Sequence, residues 1–246
     1  NITIPHQQAI LPLLDACSPQ AAAFGSVNTV SMENGIATGY TTDGIGCLKA
    51  LEAAGISPKG RCLLLGSGGA ARAIAFAFTE VCDTPDLTFA VREESLEKTR
   101  ELCASLALYA EKLGKTGKNT AIPYSLLESR TEACLNKQSY DLLLNCTSVG
   151  MYPHTDRCAV SETVISRCGA VFDAVYNPHD TLLLKTARKL GIPVVHGMAM
   201  LVWQAAAAHE IWYGVSFRPE DMAKVTQEAA AEMEPRFREE AKWKEI

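Results

Sequence analysis

The sequence predicts an α/β protein with a doubly wound, mostly parallel β-sheet and a second, smaller α/β domain. Three observations support this fold class. An apolar run at Cys62–Leu65 leads into a glycine cluster and then into an alanine-rich, helix-favouring stretch. Strand and helix patterns alternate from Cys62 onward, which favours βαβ units. The 246 residues are 48% hydrophobic and 21% charged, which is enough apolar material for a packed core.

Before Cys62 the predicted elements are short. The chain begins in the middle of an apparent strand without an initiating Met, and we therefore expect an N-terminal segment of the natural protein to be missing. The turn signal Asn34-Gly35 predicts a β-hairpin. In chain order we predict a strand at Asn1–Pro5, a helix at Gln7–Ala16, a break at Ser18-Pro19, a strand at Gly25–Val30, hairpin strands at Val27–Ser31 and Ile36–Thr41, and a helix that follows Thr42-Asp43-Gly44 and runs through Leu51.

After Cys62 the alternation is regular. The predicted strands are Cys62–Leu65, Leu87–Val91, Ile122–Ser125, Asp141–Asn145, Val171–Ala174 and Val194–Val195. The predicted helices are Ala70–Glu80, Leu96–Leu113, Met200–Gly214 and a charged tail at Pro219–Ile246 that is interrupted near Pro235. Right-handed crossovers place the carboxyl ends of parallel strands along one edge, where their loops can bind a ligand. Pattern changes suggest one domain at 47–198 and another made of 1–46 and 199–246.

Composition excludes several classes of function. The net charge of −5 argues against nucleic-acid binding. The nine cysteines are odd in number and include no Cys-x-x-Cys pair, so we expect buried thiols in a reducing, cytoplasmic compartment. No apolar run approaches the ~20 residues of a membrane span, and we expect no metal site.

The glycine cluster predicts a dinucleotide-binding turn. Gly66 and Gly68 supply the first two glycines of G-x-G-x-x-G, although Ala71 occupies the third position. Such glycines let the backbone approach a pyrophosphate, and the following helix directs its positive N-terminal end toward that group. A small-residue connection without a ligand is the alternative interpretation.

Seven ordered segments carry a family resemblance that extends to about Gly214. They are Asn-Ile-Thr-Ile-Pro at 1–5, Gly-Ser-Val-Asn-Thr-Val at 25–30, Thr-Asp-Gly-Ile-Gly at 42–46, Gly-Ser-Gly-Gly-Ala-Ala-Arg-Ala at 66–73, Asn-Cys-Thr-Ser-Val-Gly-Met at 145–151, Asp-Ala-Val-Tyr-Asn-Pro at 173–178 and Met-Leu-Val-Trp-Gln-Ala-Ala at 200–206. In these segments the chain resembles shikimate dehydrogenases. The resemblance implies a central Rossmann domain and a substrate domain formed from both chain ends, with the active site in the cleft between them.

The same resemblance implies a reaction and a set of site residues. The reaction is reversible hydride transfer between shikimate and 3-dehydroshikimate, a step of the chorismate pathway of aromatic amino-acid biosynthesis. Substrate contacts fall on Thr3, Asn28, Asp43, Tyr176 and Gln204, and cofactor contacts fall on Gly66, Ser67, Gly68, Gly69, Ala70, Arg92 and Gly197. The family's serine pair for the substrate carboxylate would lie upstream of residue 1.

The residue types suit these roles, because amides both donate to and accept from hydroxyl groups and a carboxylate accepts a hydroxyl proton strongly. Other interpretations remain open for four of them. Asn28 could cap a turn, Asp43 could be the N-cap of the following helix, Gln204 could be a surface amide and Tyr176 could serve in packing.

One departure from the family pattern concerns catalysis. The family places a proton-carrying Lys two residues after the proline, whereas this chain has Gln7. A neutral amide cannot act as an acid or base. His6 is a poor substitute, because adjacent side chains of an extended segment point to opposite faces.

A second departure concerns the cofactor. The family's NADP users commonly carry Asn-Arg-Thr after the second Rossmann strand, and this chain has Val91-Arg92-Glu93. Arg92 retains a guanidinium that can pair with a 2′-phosphate, so NADP is favoured over NAD, although Glu93 and Glu94 would oppose a phosphate that they faced. A solvated Arg92 that opens the next helix is the alternative.

The sequence therefore predicts an NADP-dependent oxidoreductase of the CH–OH group, with Asp43 and Gln7 at its catalytic centre and shikimate, or a similar acid such as quinate, as substrate. The alternative that Gln7 favours is a non-catalytic, regulatory homologue that binds shikimate or quinate. A dinucleotide-binding oxidoreductase with an unrelated substrate is a third possibility. We expect small-molecule ligands only and a monomer or a homodimer.

Overall fold

A computed structural model describes residues 1–3, 6–133 and 140–244. Its strands are β1 (Ala16–Cys17), β2 (Thr29–Glu33), β3 (Ile36–Tyr40), β4 (Arg61–Leu65), β5 (Asp86–Val91), β6 (Lys118–Pro123), β7 (Leu142–Asn145), β8 (Val171–Asp173) and β9 (Val194–His196). Its α-helices are α1 (Pro19–Phe24), α2 (Asp43–Ala53), α3 (Gly69–Val81), α4 (Leu96–Lys112), α5 (Tyr124–Ala133), α6 (Glu162–Ile165), α7 (Leu182–Lys189), α8 (Gly197–Tyr213) and α9 (Pro219–Lys244). Short 3-10 helices occupy Leu11–Leu13 and Glu93–Ser95.

The larger sheet confirms the predicted fold class. Its strand order is β6-β5-β4-β7-β8-β9, and every neighbouring pair is parallel. This is the order of a doubly wound dinucleotide-binding sheet, in which the direction of winding reverses between the first and fourth strands. That switch point lies between β4 and β7, so the loops after Leu65 and Asn145 border one crevice.

The sheet is buried on both faces. Leu63, Leu64 and Leu65 are fully buried in β4, with Leu63 and Leu65 in one apolar cluster and Leu64 in the other. A central parallel strand is apolar at consecutive positions because helices cover both sides. The burial therefore explains why the Cys62–Leu65 run lacks alternation.

A second, three-stranded sheet has the order β1-β3-β2. Its β2–β3 hairpin turns at Asn34 and Gly35, which both have positive φ, as the Asn-Gly signal predicts. This sheet is joined to α8 through the indole of Trp212, which donates to the Val30 carbonyl at 2.9 Å. The C-terminal part of the chain thus packs on the N-terminal sheet.

Two predictions for the first 25 residues are wrong. The Gln7–Ala16 helix is replaced by turns, the Leu11–Leu13 3-10 helix and the start of β1. Pro12 explains this, because a proline inside a helix removes a backbone donor and clashes with the preceding turn. The expected break at Ser18-Pro19 is instead the start of α1, since the Ser18 hydroxyl accepts from the Ala21 N–H and Pro19 takes the first helical position.

Three other boundaries differ from the prediction. Residues 1–3 form no regular strand, and the rest of the predicted Asn1–Pro5 strand, Ile4 and Pro5, lies outside the described residues. The strand predicted at Ile122–Ser125 ends at Pro123, where α5 takes over. The predicted interruption near Pro235 is wrong because α9 continues through that residue. On an exposed helix, water can satisfy the carbonyl that a proline leaves free.

The expected domain boundaries at 46 and 198 both fall within helices, α2 and α8. Within the described ranges, no helix has the length and apolar character needed to cross a membrane. The eight cysteines of these ranges carry free thiols.

Candidate active site

A cavity of about 720 Å³ opens at the carboxyl ends of the large sheet, against the start of α2 and the first turns of α8. It brings together residues from six of the seven segments that carry the family resemblance, which are far apart in the sequence. The predicted site residues that line it are Gln7, Asp43, Ser67, Gly68, Gly69, Ala70, Tyr176, Gly197 and Gln204.

The glycine turn forms one wall of this cavity. Gly66 has φ +88°, and a Cβ there would lie 2.8 Å from the Thr147 methyl group, so only glycine fits. At Gly68 and Gly69, by contrast, a Cβ would meet no described atom within 4 Å, which leaves open space above the turn. The hydroxyl groups of Ser67 and Thr99 are hydrogen-bonded at 2.8 Å, which holds the turn against α4.

This wall fits the pyrophosphate of a dinucleotide. Helix α3 begins at Gly69 with no side-chain cap and no acidic residue in its first turn. Its first N–H groups are therefore free to donate to an anion, which the helix dipole also favours. Gly66, which lies behind Ser67, shapes the turn without lining the cavity.

Asp43 stands on the opposite wall, at the first residue of α2. The N-cap residue of α2 is Thr42, so the interpretation of Asp43 as that N-cap is wrong. The Asn28 side-chain amide donates to Asp43 Oδ1 at 2.8 Å, and Asn28 Oδ1 accepts from the Thr42 N–H at 3.0 Å. Burial raises the pKa of Asp43, and the Asn28 hydrogen bond partly offsets this rise. Asn28 itself is buried behind Asp43 rather than exposed to the cavity.

Two glycines explain how α2 reaches this position. A Cβ at Gly44 would lie 2.6 Å from the Ala73 carbonyl oxygen of α3. A Cβ at Gly46 would lie 2.7 Å from the Met200 carbonyl oxygen and 2.9 Å from Gln204 Cβ of α8. Because both glycines lack a side chain, α2 packs closely between these helices and brings Asp43 and Gln204 to one cavity.

The Tyr176 loop follows β8 and is held by a buried polar network. Asp173 Oδ1 accepts from the Asn145 amide at 2.9 Å and from the Val175 N–H at 3.0 Å, and Oδ2 accepts from the Thr181 hydroxyl at 2.6 Å. These bonds join the carboxyl ends of β7 and β8 to the start of α7. They fix the loop whose exposed Tyr176 lines the cavity.

Gly197 packs directly against this loop. A Cβ at Gly197 would lie 2.6 Å from the Ala174 carbonyl oxygen and 2.7 Å from that of Val175. The absence of a side chain therefore lets the start of α8 contact the loop backbone.

Gln7 lines the cavity although its segment is not helical. Its carbonyl accepts from the Val27 N–H at 2.9 Å, which ties it to the segment between α1 and β2 that carries Asn28. His6 is exposed and does not line the cavity. The site thus presents an amide, and not a titratable group, at the position where the family pattern has Lys.

Two predicted site residues lie elsewhere. Thr3 is exposed outside the cavity lining. Arg92 is also outside it, with a side chain that is 75% exposed and paired with Glu94 at 3.1 Å. This pair satisfies a guanidinium that we predicted to be available for a 2′-phosphate.

Sequence reasoning missed several residues that line the cavity. They are Gln8, Ser26, Arg72, Lys98 and Cys146. Arg72 and Lys98 are cations in the first turns of α3 and α4, close to the turn that would hold an anion, and that position was the available signal. Burial raises the pKa of the Cys146 thiol, so this residue is neutral and not a nucleophile. No cluster of potential metal ligands occurs among the residues that the structure describes.

Comparison with known proteins finds a matching family model and similar chains. A family model described as the shikimate dehydrogenase substrate binding domain matches residues 1–30. A shikimate dehydrogenase (NADP(+)) of Methanococcus maripaludis is 39% identical over 217 residues, which cover 87% of this chain and 72% of that protein.

Two solved structures are also similar. Shikimate 5-dehydrogenase from Thermus thermophilus, in complex with NADP(H) and shikimate, has a TM-score of 0.70 at 33% identity and covers 93% of this chain and 78% of its own. Quinate dehydrogenase from Corynebacterium glutamicum, in complex with NAD, has a TM-score of 0.77 at 29% identity over 93% of this chain and 77% of its own.

Proposed function

The chain belongs to the shikimate dehydrogenase family, and we propose that it is an NADP-dependent oxidoreductase that interconverts shikimate and 3-dehydroshikimate. One observation carries the proposal. A single cavity has an uncapped helix start and an open glycine turn on one wall, and Asp43 and Gln204 on the other. An anionic cofactor and a polyhydroxylated substrate would meet there.

In the proposed site, residues 47–198 hold the cofactor and residues 1–46 with 199–246 hold the substrate. Ser67, Gly68, Gly69 and Ala70 would hold the pyrophosphate through backbone N–H groups. Gly197 would lie near the nicotinamide, the ring that accepts the hydride when the oxidised cofactor is bound. The free thiols of the described cysteines support a reducing, cytoplasmic compartment.

Substrate binding would rest on groups that both donate and accept. Gln204 and Gln7 offer amides, and Tyr176 offers a hydroxyl, which suits a ring with several hydroxyl groups. Asn28 would act on Asp43 directly, because its amide fixes the orientation of the carboxylate. Thr3 would contact substrate only if its exposed segment moves toward the cavity.

We assign to Asp43 the role of accepting the proton of the substrate hydroxyl. When the substrate hydroxyl is oxidised, its oxygen must lose a proton as its carbon loses hydride. Asp43 lines the cavity, and its raised pKa makes the carboxylate a stronger base than an ordinary aspartate. Gln7 can donate to or accept from the same hydroxyl but cannot take up its proton.

Cofactor choice would depend on cations near the turn. Lys98 lines the cavity, and Arg92 stands after β5. Both are cations of the kind that pairs with a 2′-phosphate, which supports NADP over NAD. For Arg92 this requires release from Glu94, which now pairs with it.

The decisive experiment measures shikimate oxidation with NADP by the natural chain, by Gln7→Lys and by the matched control Gln8→Lys, which adds the same charge one residue away in the same cavity. We expect measurable turnover from the natural chain. Because a general acid or base contributes about 10²–10⁴-fold, Gln7→Lys should gain at least tenfold while Gln8→Lys gains nothing.

The same three proteins are also assayed with quinate as substrate and with NAD as cofactor. If no variant turns over although shikimate binds tightly, the dehydrogenase assignment fails. The chain is then the non-catalytic shikimate- or quinate-binding homologue, which the neutral Gln7 favours.

A further inference from the structure

We propose that Arg72 is a positioning residue that couples cofactor binding to substrate binding, by pairing with the cofactor's pyrophosphate while it holds the Phe24 carbonyl. This inference rests on the proposed function. Arg72 stands in the first turn of α3, where its N–H donates to the Gly68 carbonyl at 3.0 Å. Its side chain lines the cavity, and Nη2 donates to the Phe24 carbonyl at 3.1 Å. It therefore spans from the glycine turn to α1.

The surroundings of the Arg72 guanidinium favour the binding of an anion. The guanidinium carbon lies 5.7 Å from the ring centre of Phe24 and 5.9 Å from that of Phe76, and burial lowers the pKa of Arg72. Within the described part of the chain, Arg72 forms this hydrogen bond and these ring contacts but no ion pair. Arg188 and Arg218, by contrast, each pair with a carboxylate at 2.8 Å. Because an arginine stays charged even when partly buried, an anion bound in the cavity would supply the ion pair that Arg72 lacks among the described residues.

The Phe24 carbonyl links Arg72 to the substrate wall through a short chain of contacts. Phe24 is the last residue of α1, and the chain turns at Gly25, which has φ +71° and lines the cavity. Two residues later the Val27 N–H donates to the Gln7 carbonyl at 2.9 Å. The next side chain, Asn28, donates to Asp43.

Arg72 thus acts at the start of a segment that carries both Gln7 and the partner of Asp43. When an anion binds near the glycine turn, it restrains the guanidinium, and the guanidinium restrains the Phe24 carbonyl. The wall that carries Gln7 and Asp43 is then ordered before the substrate arrives. Because less ordering remains to be done, the substrate binds with a lower Kd. Linkage requires that the substrate tighten cofactor binding by the same factor.

The test measures the Kd of NADPH with and without saturating shikimate, and of shikimate with and without saturating NADPH, by titration calorimetry. Because both ligands are in their reduced form, no hydride is transferred during the titration. The proteins are the natural chain, Arg72→Gln, Arg72→Lys and the control Arg218→Gln, an exposed arginine whose partner is Asp221. Inorganic pyrophosphate serves as a competitor of NADPH, and thermal unfolding shows that each variant is folded.

We expect each ligand to tighten the other at least fivefold in the natural chain and in Arg218→Gln. Arg72→Gln should weaken the binding of NADPH and of pyrophosphate at least tenfold and reduce the coupling factor to about 1. Arg72→Lys should recover part of the pyrophosphate affinity but not the coupling, because one ammonium cannot reproduce the two edges of a guanidinium.

Three results would overturn the inference. They are a natural chain with no coupling, variants whose coupling is unchanged, or a loss confined to shikimate, which would assign Arg72 to the substrate carboxylate. A natural chain that binds neither ligand would refute the proposed function and this inference with it. Binding of both ligands without coupling would leave the proposed function intact, so the two failures are distinguishable.

Discussion

Replacing Asp173 with asparagine removes a buried charge from the carboxyl end of β8 while it keeps the shape of the side chain. Asp173 is fully buried, and its two oxygens accept from Asn145, Val175 and Thr181. Burial raises the pKa of Asp173 from 3.8 to about 6, although the three hydrogen bonds act in the opposite direction. The native protein therefore binds this proton more readily than the unfolded chain does.

The sign and size of the effect follow from proton linkage. The free energy of unfolding that the neutral carboxyl supports is fully present below pH 4 and is lost as the pH rises through about 6. At about 1.4 kcal/mol for each pKa unit, the loss at pH 7.5 is about 3 kcal/mol. Asparagine avoids this loss, but its amide hydrogen faces the Thr181 hydroxyl and costs one hydrogen bond, about 1 kcal/mol.

We therefore expect Asp173→Asn to raise the free energy of unfolding at pH 7.5 by about 2 kcal/mol. For a chain of this size, that corresponds to a rise in Tm of about 5 °C. Urea unfolding between pH 4 and 8 is the measurement. The gain should shrink as the pH falls and become a small loss near pH 4. The control is Asp156→Asn at an exposed position, which should show no pH-dependent difference.

The reasoning is refuted if Asp173→Asn differs from the natural chain by the same amount at every pH. It is equally refuted if the variant is less stable at pH 7.5, because the three hydrogen bonds would then require an ionised acceptor.

Two further perturbations test the site. Gly44→Ala should lower the free energy of unfolding by about 1–3 kcal/mol in urea titrations, because its Cβ would lie 2.6 Å from the Ala73 carbonyl oxygen. The control Gly69→Ala, whose Cβ would have open space around it, should leave the free energy of unfolding unchanged. Asn28→Ala should raise the pKa of Asp43 further, because it removes a hydrogen bond to the carboxylate worth about 1.5–3 kcal/mol. The acid limb of the pH profile of shikimate binding should then move to higher pH, and an unmoved limb, or an equal shift in Gln204→Ala, would contradict this assignment.

Much of the fold could be predicted because its signals are local. The glycine turn, the Asn34-Gly35 hairpin and the apolar run of β4 each depend on residues adjacent in sequence. The sequence also contains a local signal against a helix at Gln7–Ala16, since Pro12 disfavours a helix interior. Ser18 and Pro19 are local signals for the start of α1, because serine caps helix N-termini and proline suits the first helical position, but the same dipeptide is also typical of a break.

The candidate site was less accessible to sequence reasoning. The family motifs identified Asp43, Tyr176 and Gln204, and the structure brings these three to one cavity. The same motifs contain Arg72, but nothing in the sequence indicates that its side chain reaches the Phe24 carbonyl across the cavity wall. Arg92 shows the converse, because its pairing with Glu94 depends on how the 3-10 helix after β5 directs the two side chains.

The sequence by itself determined the parallel sheet, and it predicted an anion-binding turn and a neutral Gln7 where the family pattern has Lys. The sheet and the turn follow from backbone preference, which needs no distant partner, and the expectation for Gln7 follows from the family resemblance together with the chemistry of an amide. Only the tertiary structure decided which groups face each other. Helix α2 approaches α3 and α8 closely because Gly44 and Gly46 carry no side chain, and this approach sets Asp43 opposite the glycine turn. Contacts between residues more than a hundred positions apart depend on packing distance, which no local pattern encodes.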